Sequence, residues 1–380
     1  MKENLKKYFK ELPKRYFITA FSGMAQGLFA TLIVGTILAQ IAGWIGDNFV
    51  GNTLMVIANI AKMLMGAGIG VGIAHSLEKN KLLIFAAAVA GMVGAFALDI
   101  FNEGFVAIFT VGTKSVQFIK FGAPGNPIGA YVVTMLVVEL VELYAGKTKL
   151  DIILIPIGVL LLSFVGIFIA WPFIKLIDLF AQLLVITINA GSAVKIIIGI
   201  FIAVVMGILL TMPTSSAAIW IAIATSNTAN ANPEVFAIAG GAAVAGCAAH
   251  MVGFAVTSYR ENKVSGLISQ GIGTSMLQIP NIMKKPVIMV PEIVSSAVAG
   301  LVAVLLDIRC TPAGGGMGTS GLVGLFGVIE ESLKYNVPTL NIVLGIILCL
   351  FVIPAVVSLI VSEFMRKKEW IKLDDMKLPD

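Results

Sequence analysis

The chain has 380 residues, of which 58% are hydrophobic and 12% are charged, and its mean hydropathy is +0.99. A soluble core of this size cannot bury so much apolar surface, whereas lipid accepts it, so the composition excludes a water-soluble globular protein. The net charge of +5 is held mostly near the two ends of the chain.

Uncharged runs long enough to cross a bilayer recur along the chain. A transmembrane helix takes about 20 consecutive apolar residues. Runs of this length or more are found at residues 16–46, 152–174, 196–233, 235–259 and 335–362. We therefore predict an all-α fold, a polytopic helical membrane protein of about ten transmembrane helices with re-entrant hairpins.

Basic residues near the chain ends predict the orientation in the membrane. Lys and Arg cluster within residues 2–15 and again at residues 366–368, and cytoplasmic segments are enriched in these two residue types. We expect a multi-pass protein of the cell membrane, in contact with its lipid, with both termini in the cytoplasm. A basic tail is also typical of nucleic-acid binding, but beside a spanning helix it indicates topology, so we expect no nucleic-acid partner.

The membrane part of the chain is predicted to have two halves. Charged turns agree on the topology up to about residue 195, whereas later prolines and glycines fit either true loops or re-entrant hairpins. We assign residues 1–195 to an N-terminal membrane half, residues 196–365 to a C-terminal membrane half, and residues 366–380 to a cytoplasmic tail.

Three short breaks interrupt the apolar C-terminal half with similar residues. They are Met-Pro-Thr-Ser-Ser at 212–216, Gly-Ile-Gly-Thr-Ser at 271–275 and Gly-Met-Gly-Thr-Ser at 316–320. Non-helical backbone at membrane depth persists only where protein or a watery cavity satisfies its polar groups. We therefore predict a solute site near the membrane midplane, walled by broken helices. The alternative is that these glycines only permit close helix packing.

Hydroxyl and amide side chains at the breaks are the candidate solute ligands. Both side-chain types offer hydrogen-bond donors and acceptors, as a polyhydroxylated solute requires. The candidates are Pro213, Thr214, Ser215, Ser216, Gln270, Gly273, Thr274, Ser275, Gln278, Asn281, Gly318, Thr319 and Ser320.

Two ionisable residues also lie in the apolar C-terminal half. His250 is on a stretch rich in Gly and Ala, and Glu292 is in the otherwise uncharged segment 286–306. An ionisable group inside a membrane is costly and points to a site or pathway. The alternatives are a core histidine bonded to a backbone carbonyl, and a boundary glutamate close to Lys284 and Lys285.

Neither a cofactor nor a metal is predicted. The sequence contains no phosphate-binding loop, dinucleotide fingerprint or zinc pattern. The three cysteines, Cys247, Cys310 and Cys349, lack paired spacing and are expected to be buried thiols.

Four blocks of the C-terminal half together resemble a known family. They are residues 212–219, 246–256, 270–278 and 316–324. In this order they are similar to the EIIC membrane subunits of the sugar phosphotransferase system, in particular to a divergent group also described as toxin-regulator-like membrane proteins. The resemblance covers nearly the whole chain.

This resemblance implies an architecture and a function. It implies a homodimer in which residues 1–195 form the scaffold and residues 196–365 bind and carry the substrate. The solute, a sugar above all, would be translocated and phosphorylated by a separate EIIB protein. His250 and Glu292 become candidates for contacting the hydroxyl that receives the phosphoryl group. The chain itself would carry no phosphorylated residue.

Two alternative functions stay open from the sequence. The first is a membrane sensor or regulator with an EIIC fold, because no EIIB domain is fused to the chain. The second is a carrier that does not phosphorylate its solute, because Glu292 and Lys62 lie in apolar segments.

Overall fold

A computed structural model describes residue 12 and residues 14–102, 125–212 and 216–378, apart from the side chain of Phe17. Three predicted solute ligands, Pro213, Thr214 and Ser215, lie outside the described residues. Throughout the described ranges the chain is helical, with turns between helices and without a β-strand. The predicted all-α fold is confirmed.

Six helices in the described ranges are long and apolar enough to cross a membrane, and a bent pair makes up to seven. The six are α1 (Ile18–Ile45), α6 (Asp151–Asn189), α7 (Ser192–Thr211), α10 (Pro233–Thr257), α13 (Pro286–Leu305) and α16 (Thr339–Lys367). The bent pair is α2 (Phe49–Met63) and α3 (Met65–Ser76), with 50° between them. The protein is polytopic, as predicted, and the count of about ten crossings stays a prediction.

Shorter helices join these spans. They are α4 (Lys81–Ala95), α5 (Pro127–Glu142), α8 (Ser216–Ala224), α9 (Asn227–Ala231), α11 (Tyr259–Ile268), α12 (Ile279–Lys284), α14 (Pro312–Gly315) and α15 (Val323–Lys334). Side-chain oxygens of Asn80 and Asn126 cap the starts of α4 and α5 by accepting backbone N–H bonds. Such caps satisfy donors that have no partner inside the helix.

The chain divides into two compact units, residues 1–179 and 180–380, and the boundary lies within α6. In unit 1, α3 contacts α1 and α4, and the backbones approach closely where glycines face one another. A Cβ added at Gly27 would overlap the carbonyl of Gly68. Here the glycines do permit close helix packing. The scaffold role predicted for residues 1–195 and the transport role of residues 196–365 stay predictions.

Unit 2 is built around α10, which is buried along almost its whole length. It contacts α7, α13 and α16. The small residues of α10 explain this position, because a Cβ added at Gly246 would overlap the backbone of Ala203 on α7. Backbone contact of this kind replaces bulky side-chain packing between membrane helices.

An irregular connector, residues 258–285, joins α10 to α13. It contains α11, a π-helical turn at Ser269–Gly273, a 3₁₀ turn at Ser275–Gln278, and α12. Thr274 between the two turns is extended, and its hydroxyl accepts a 3.1 Å hydrogen bond from the amide of Met276. The non-helical backbone predicted at 271–275 is therefore present.

Candidate functional site

A polar cluster of three side chains forms where α7, α10 and the connector meet. Thr211 Oγ1 lies 2.8 Å from His250 Nδ1 and 2.9 Å from Ser275 Oγ. His250, Thr211 and Ser275 are each 0% exposed. We call Thr211, His250 and Ser275 the polar cluster. His250 is thus held by a hydroxyl, and not by the backbone carbonyl that the alternative interpretation required.

The second ring nitrogen of His250, Nε2, makes no hydrogen bond to the described residues. Across the part of the chain that the structure describes, Nε2 has no hydrogen-bond partner although it is buried. The ring is closely confined, because a Cβ added at Gly207 would come within 2.5 Å of His250 Cδ2 and 2.9 Å of Ser296 Oγ. A buried polar atom without a partner costs about 1–3 kcal/mol. Nε2 therefore keeps a hydrogen-bonding capacity that the described residues do not use.

Glu292 lies in the interior of unit 2 and is 0% exposed. Thr257 on α10 donates a 3.0 Å hydrogen bond to Glu292 Oε1. Glu292 Oε2 and the hydroxyls of Ser358 and Ser362 on α16 are buried without partners among the described residues. A Cβ added at Gly253 would lie 2.7 Å from Ser358 Oγ and 2.9 Å from Glu292 Cγ. Glu292 is therefore buried inside unit 2, in the first α-helical turn of α13 and seven residues after Lys285, and the alternative of a boundary residue stays a prediction.

The three predicted breaks are joined to one another. The hydroxyls of Thr319 and Ser320 in the third break donate to the carbonyls of Gly271 and Gly273 in the second, at 2.6 and 2.9 Å. Ser216, the described end of the first break, donates to a carbonyl of the third, that of Gly316, at 2.7 Å. The hydroxyls thereby satisfy carbonyls that the broken helices leave free.

Gly318 allows the third break to lie against α10. It has a φ of +57°, and a Cβ added there would come within 2.8 Å of the backbone of Cys247. Both the left-handed conformation and the close approach require glycine. Gly318 therefore shapes the backbone beside the polar cluster and offers no side chain to a solute.

The three predicted amide ligands form a chain of hydrogen bonds. Asn281 Nδ2 donates to Gln278 Oε1 at 2.8 Å, and Gln278 Nε2 donates to Gln270 Oε1 at 2.9 Å. Gln270 Nε2 donates to Ser258 Oγ at 2.9 Å. Gln278 and Asn281 also donate to backbone carbonyls near the C-terminus. In this structure the amides bind the protein itself, and their role as solute ligands stays a prediction.

The comparison with protein families decides the identity of the fold. The profile of the family described as "Phosphotransferase system, EIIC" matches residues 18–378. The chain belongs to this EIIC family. Searches of curated proteins and of solved structures return no match. Family membership supports a multi-pass membrane protein with a permease-type role in the phosphotransferase system, acting on a transported substrate with an EIIB partner.

Two residues of this EIIC site, Thr211 and Thr257, were not predicted from the sequence as ligands. Thr211 is the last residue of α7 and directly precedes the first break, which is the signal that could have drawn attention to it. Thr257 lies seven residues after His250 and so shares its helical face, which could have linked it to Glu292.

Metal-binding residues are not grouped in this EIIC chain as far as the structure describes it. No set of three or more His, Cys, Asp and Glu side chains could hold a metal ion there. Cys247, Cys310 and Cys349 are buried free thiols. The buried Cys247 thiol donates weakly to the carbonyls of Met206 and Gly315, at 3.5 and 3.7 Å.

Proposed function

We propose that this EIIC chain binds a small polyhydroxylated solute, a sugar above all, at the polar cluster and passes it inward. A separate EIIB protein phosphorylates the solute. The observation that carries the proposal is the polar cluster. Thr211 contacts both His250 and Ser275 there, and His250 Nε2 has no hydrogen-bond partner among the described residues. The meeting point of three broken segments is also where membrane carriers bind their substrates.

The chemistry of the imidazole fits a sugar hydroxyl. When Nδ1 carries the ring proton and donates it to Thr211, Nε2 is an acceptor. Nε2 then accepts the proton that the sugar hydroxyl loses as its oxygen bonds to phosphorus. The bond between phosphorus and the EIIB residue breaks in the same step. This step needs Thr211 to accept from Nδ1 and to donate elsewhere, to the carbonyl of Gly207 or to Ser275 Oγ.

Glu292 is the proposed second contact for the solute. Oε2 has no partner among the residues described, whereas Oε1 is held by Thr257. Gly253 and Thr257, which flank Glu292, follow His250 on α10 by three and seven residues, or about 4.5 and 10.5 Å along the helix. The free oxygen of this carboxyl group can accept a hydrogen bond from a sugar hydroxyl.

Thermal unfolding of the detergent-purified protein against sugars, polyols and nucleosides tests the proposal. A ligand at 100 times its Kd adds about 2.7 kcal/mol to the free energy of unfolding. We expect at least one sugar to raise Tm, and the rise to be lost in His250→Ala and Ser275→Ala. Ser269→Ala in the same connector is the matched control and should keep the rise.

Uptake then separates the permease from its alternatives. Vesicles supplied with a phosphorylated EIIB should convert the bound sugar to its phosphate. Binding without uptake would favour the sensor, and uptake without a phosphorylated product would favour the carrier. If no sugar in the panel raises Tm and none is phosphorylated, the proposal is wrong.

The assembly and orientation are also proposed from the family. We propose a homodimer in the cell membrane with both termini in the cytoplasm. The clustered basic residues near the two ends support the orientation. Mass measurement in detergent tests the dimer, and labelling of single cysteines placed near each end from either side of the membrane tests the orientation.

A further inference from the structure

The C-terminal segment, residues 368–378, folds back onto the connector. Ile371 and Met376 are 1% and 0% exposed. They join a hydrophobic cluster with Phe254 of α10 and Ile288 of α13. Two apolar side chains therefore anchor a segment that is otherwise largely polar.

Asn262 of the connector binds the backbone of this segment with both ends of its amide. Its Nδ2 donates to the carbonyl of Met376, and the N–H of Leu378 donates to its Oδ1, both at 2.8 Å. The segment is turned here, because the N–H of Asp375 bonds to the carbonyl of Lys372 and the N–H of Lys377 bonds to that of Asp374. Asn262 therefore holds a turned segment through its main chain.

Two more amides hold the same stretch. Gln278 Nε2 donates to the carbonyl of Met376, and Asn281 Nδ2 donates to that of Lys377, each at 2.9 Å. The ammonium of Lys285 pairs with the carboxylate of Asp375 at 2.6 Å. Met376 also fills the space beside Thr257, whose hydroxyl lies 3.8 Å from its sulfur.

The connector also carries one member of the polar cluster. Ser275 lies three residues before Gln278, and its hydroxyl is bonded to Thr211. The short turns at 269–278 are therefore held at one side by Thr211 and at the other by the C-terminal segment. These turns are π-helical and 3₁₀-helical, and such irregular structure opens more easily than the core helices.

We propose that the connector is a docking surface for the turned C-terminal segment, that residues 371–378 occupy it in cis, and that this docking holds Ser275 against Thr211. The docked segment then favours an assembled polar cluster, and the released segment frees the connector and opens the cluster. Only the consequence for solute binding rests on the proposed function. Docking, and its coupling to Ser275, hold without a solute.

Hydrogen exchange of the full chain in lipid nanodiscs tests this coupling. Lys285→Glu places two negative charges together at Asp375, and Met376→Asp puts a charge into the apolar anchor site. We expect amides of both 371–378 and 269–278 to exchange about tenfold faster in each variant, with the middle of α10 unchanged. Lys284→Glu, the same charge change on the neighbouring exposed residue, should exchange as the wild type does.

Two other results overturn the inference. Faster exchange at 371–378 with unchanged exchange at 269–278 would show a docked segment without coupling. Unchanged exchange at 371–378 in Met376→Asp would show that the segment is not anchored there. If Met376→Asp also speeds exchange in α10, this variant has lost its fold. The Lys285→Glu variant alone then tests the coupling. If no sugar in the panel binds, the proposed function is wrong, but the exchange results still test docking and its coupling to Ser275.

Discussion

Thr211 Oγ1 lies 2.8 Å from His250 Nδ1, and this contact joins the last residue of α7 to a fully buried imidazole on α10. The hydroxyl also lies 3.3 Å from the carbonyl of Gly207 and 2.9 Å from Ser275 Oγ. Since Thr211 has one hydroxyl hydrogen, it can donate to only one of these three groups at a time. The contact therefore links the protonation pattern of the imidazole to the position of the connector.

Removal of the Thr211 hydroxyl should weaken both the fold and solute binding. Thr211→Val keeps the shape but leaves His250 Nδ1 and Ser275 Oγ without this partner. The free energy of unfolding should fall by about 1–3 kcal/mol, because buried polar groups lose their hydrogen bond. Thr187→Val on α6 is the matched control, since Thr187 bonds only carbonyls of its own helix. Equal thermal stability of the two variants would contradict a stabilising role of the Thr211 hydroxyl in the polar cluster.

Replacement of the Glu292 carboxyl group by an amide should separate stability from binding. Glu292→Gln keeps the size of the side chain and the acceptor that Thr257 uses, and it replaces Oε2 by an amide nitrogen that can only donate. We expect thermal stability to be unchanged or higher, while the Kd for the solute rises about tenfold, or 1.4 kcal/mol.

The control is Glu363→Gln, the same substitution at the partner of Arg260. It should leave the Kd for the solute unchanged. Titration of the solute into each purified variant gives the two values. A Glu292→Gln protein that binds as the wild type does would exclude Glu292 from the site.

Two glycine substitutions should change the free energy of unfolding in opposite directions. Gly253→Ala puts a methyl group 2.7 Å from Ser358 Oγ and 2.9 Å from Glu292 Cγ, so it should destabilise by about 1–3 kcal/mol through overpacking. Gly43→Ala on α1 meets no atom within 4 Å and should stabilise by up to about 1 kcal/mol, because Ala is the better helix former. Thermal unfolding of both variants checks the signs. A stabilised Gly253→Ala would mean that α10 and α16 do not pack as closely as described.

Local patterns were enough to predict the helical membrane fold and the second break. Apolar runs of spanning length report burial in lipid directly, and Gly with Thr-Ser marks the place where a helix ends. Gln278 and Asn281 were predicted as solute ligands near that break, and this stays a prediction. Their partners, Met376 and Lys377, lie about a hundred residues further along the chain. A hydrogen bond of such sequence separation leaves no periodic signal, so the sequence could not predict it.

Acid should release the C-terminal segment through Asp375. Partial burial alone would raise the pKa of Asp375, but hydrogen bonds from Lys285 and from the backbone N–H of Lys372, both 2.6 Å long, outweigh it and hold the pKa below the ordinary 3.8. A carboxylate with a lowered pKa in the folded state stabilises docking above its ordinary pKa. That contribution is lost as the pH falls through the lowered value.

Hydrogen exchange at residues 371–378, corrected for the intrinsic pH dependence of exchange, measures this release. Protection should stay constant from about pH 8 to pH 5 and fall below about pH 4 in the wild type. Asp375→Asn keeps a side chain of the same size without the charge, so its protection should already be low at neutral pH and show no acid step. An acid step that persists in Asp375→Asn would assign the release to another carboxylate, because the Lys285 pair would then no longer be the group that titrates.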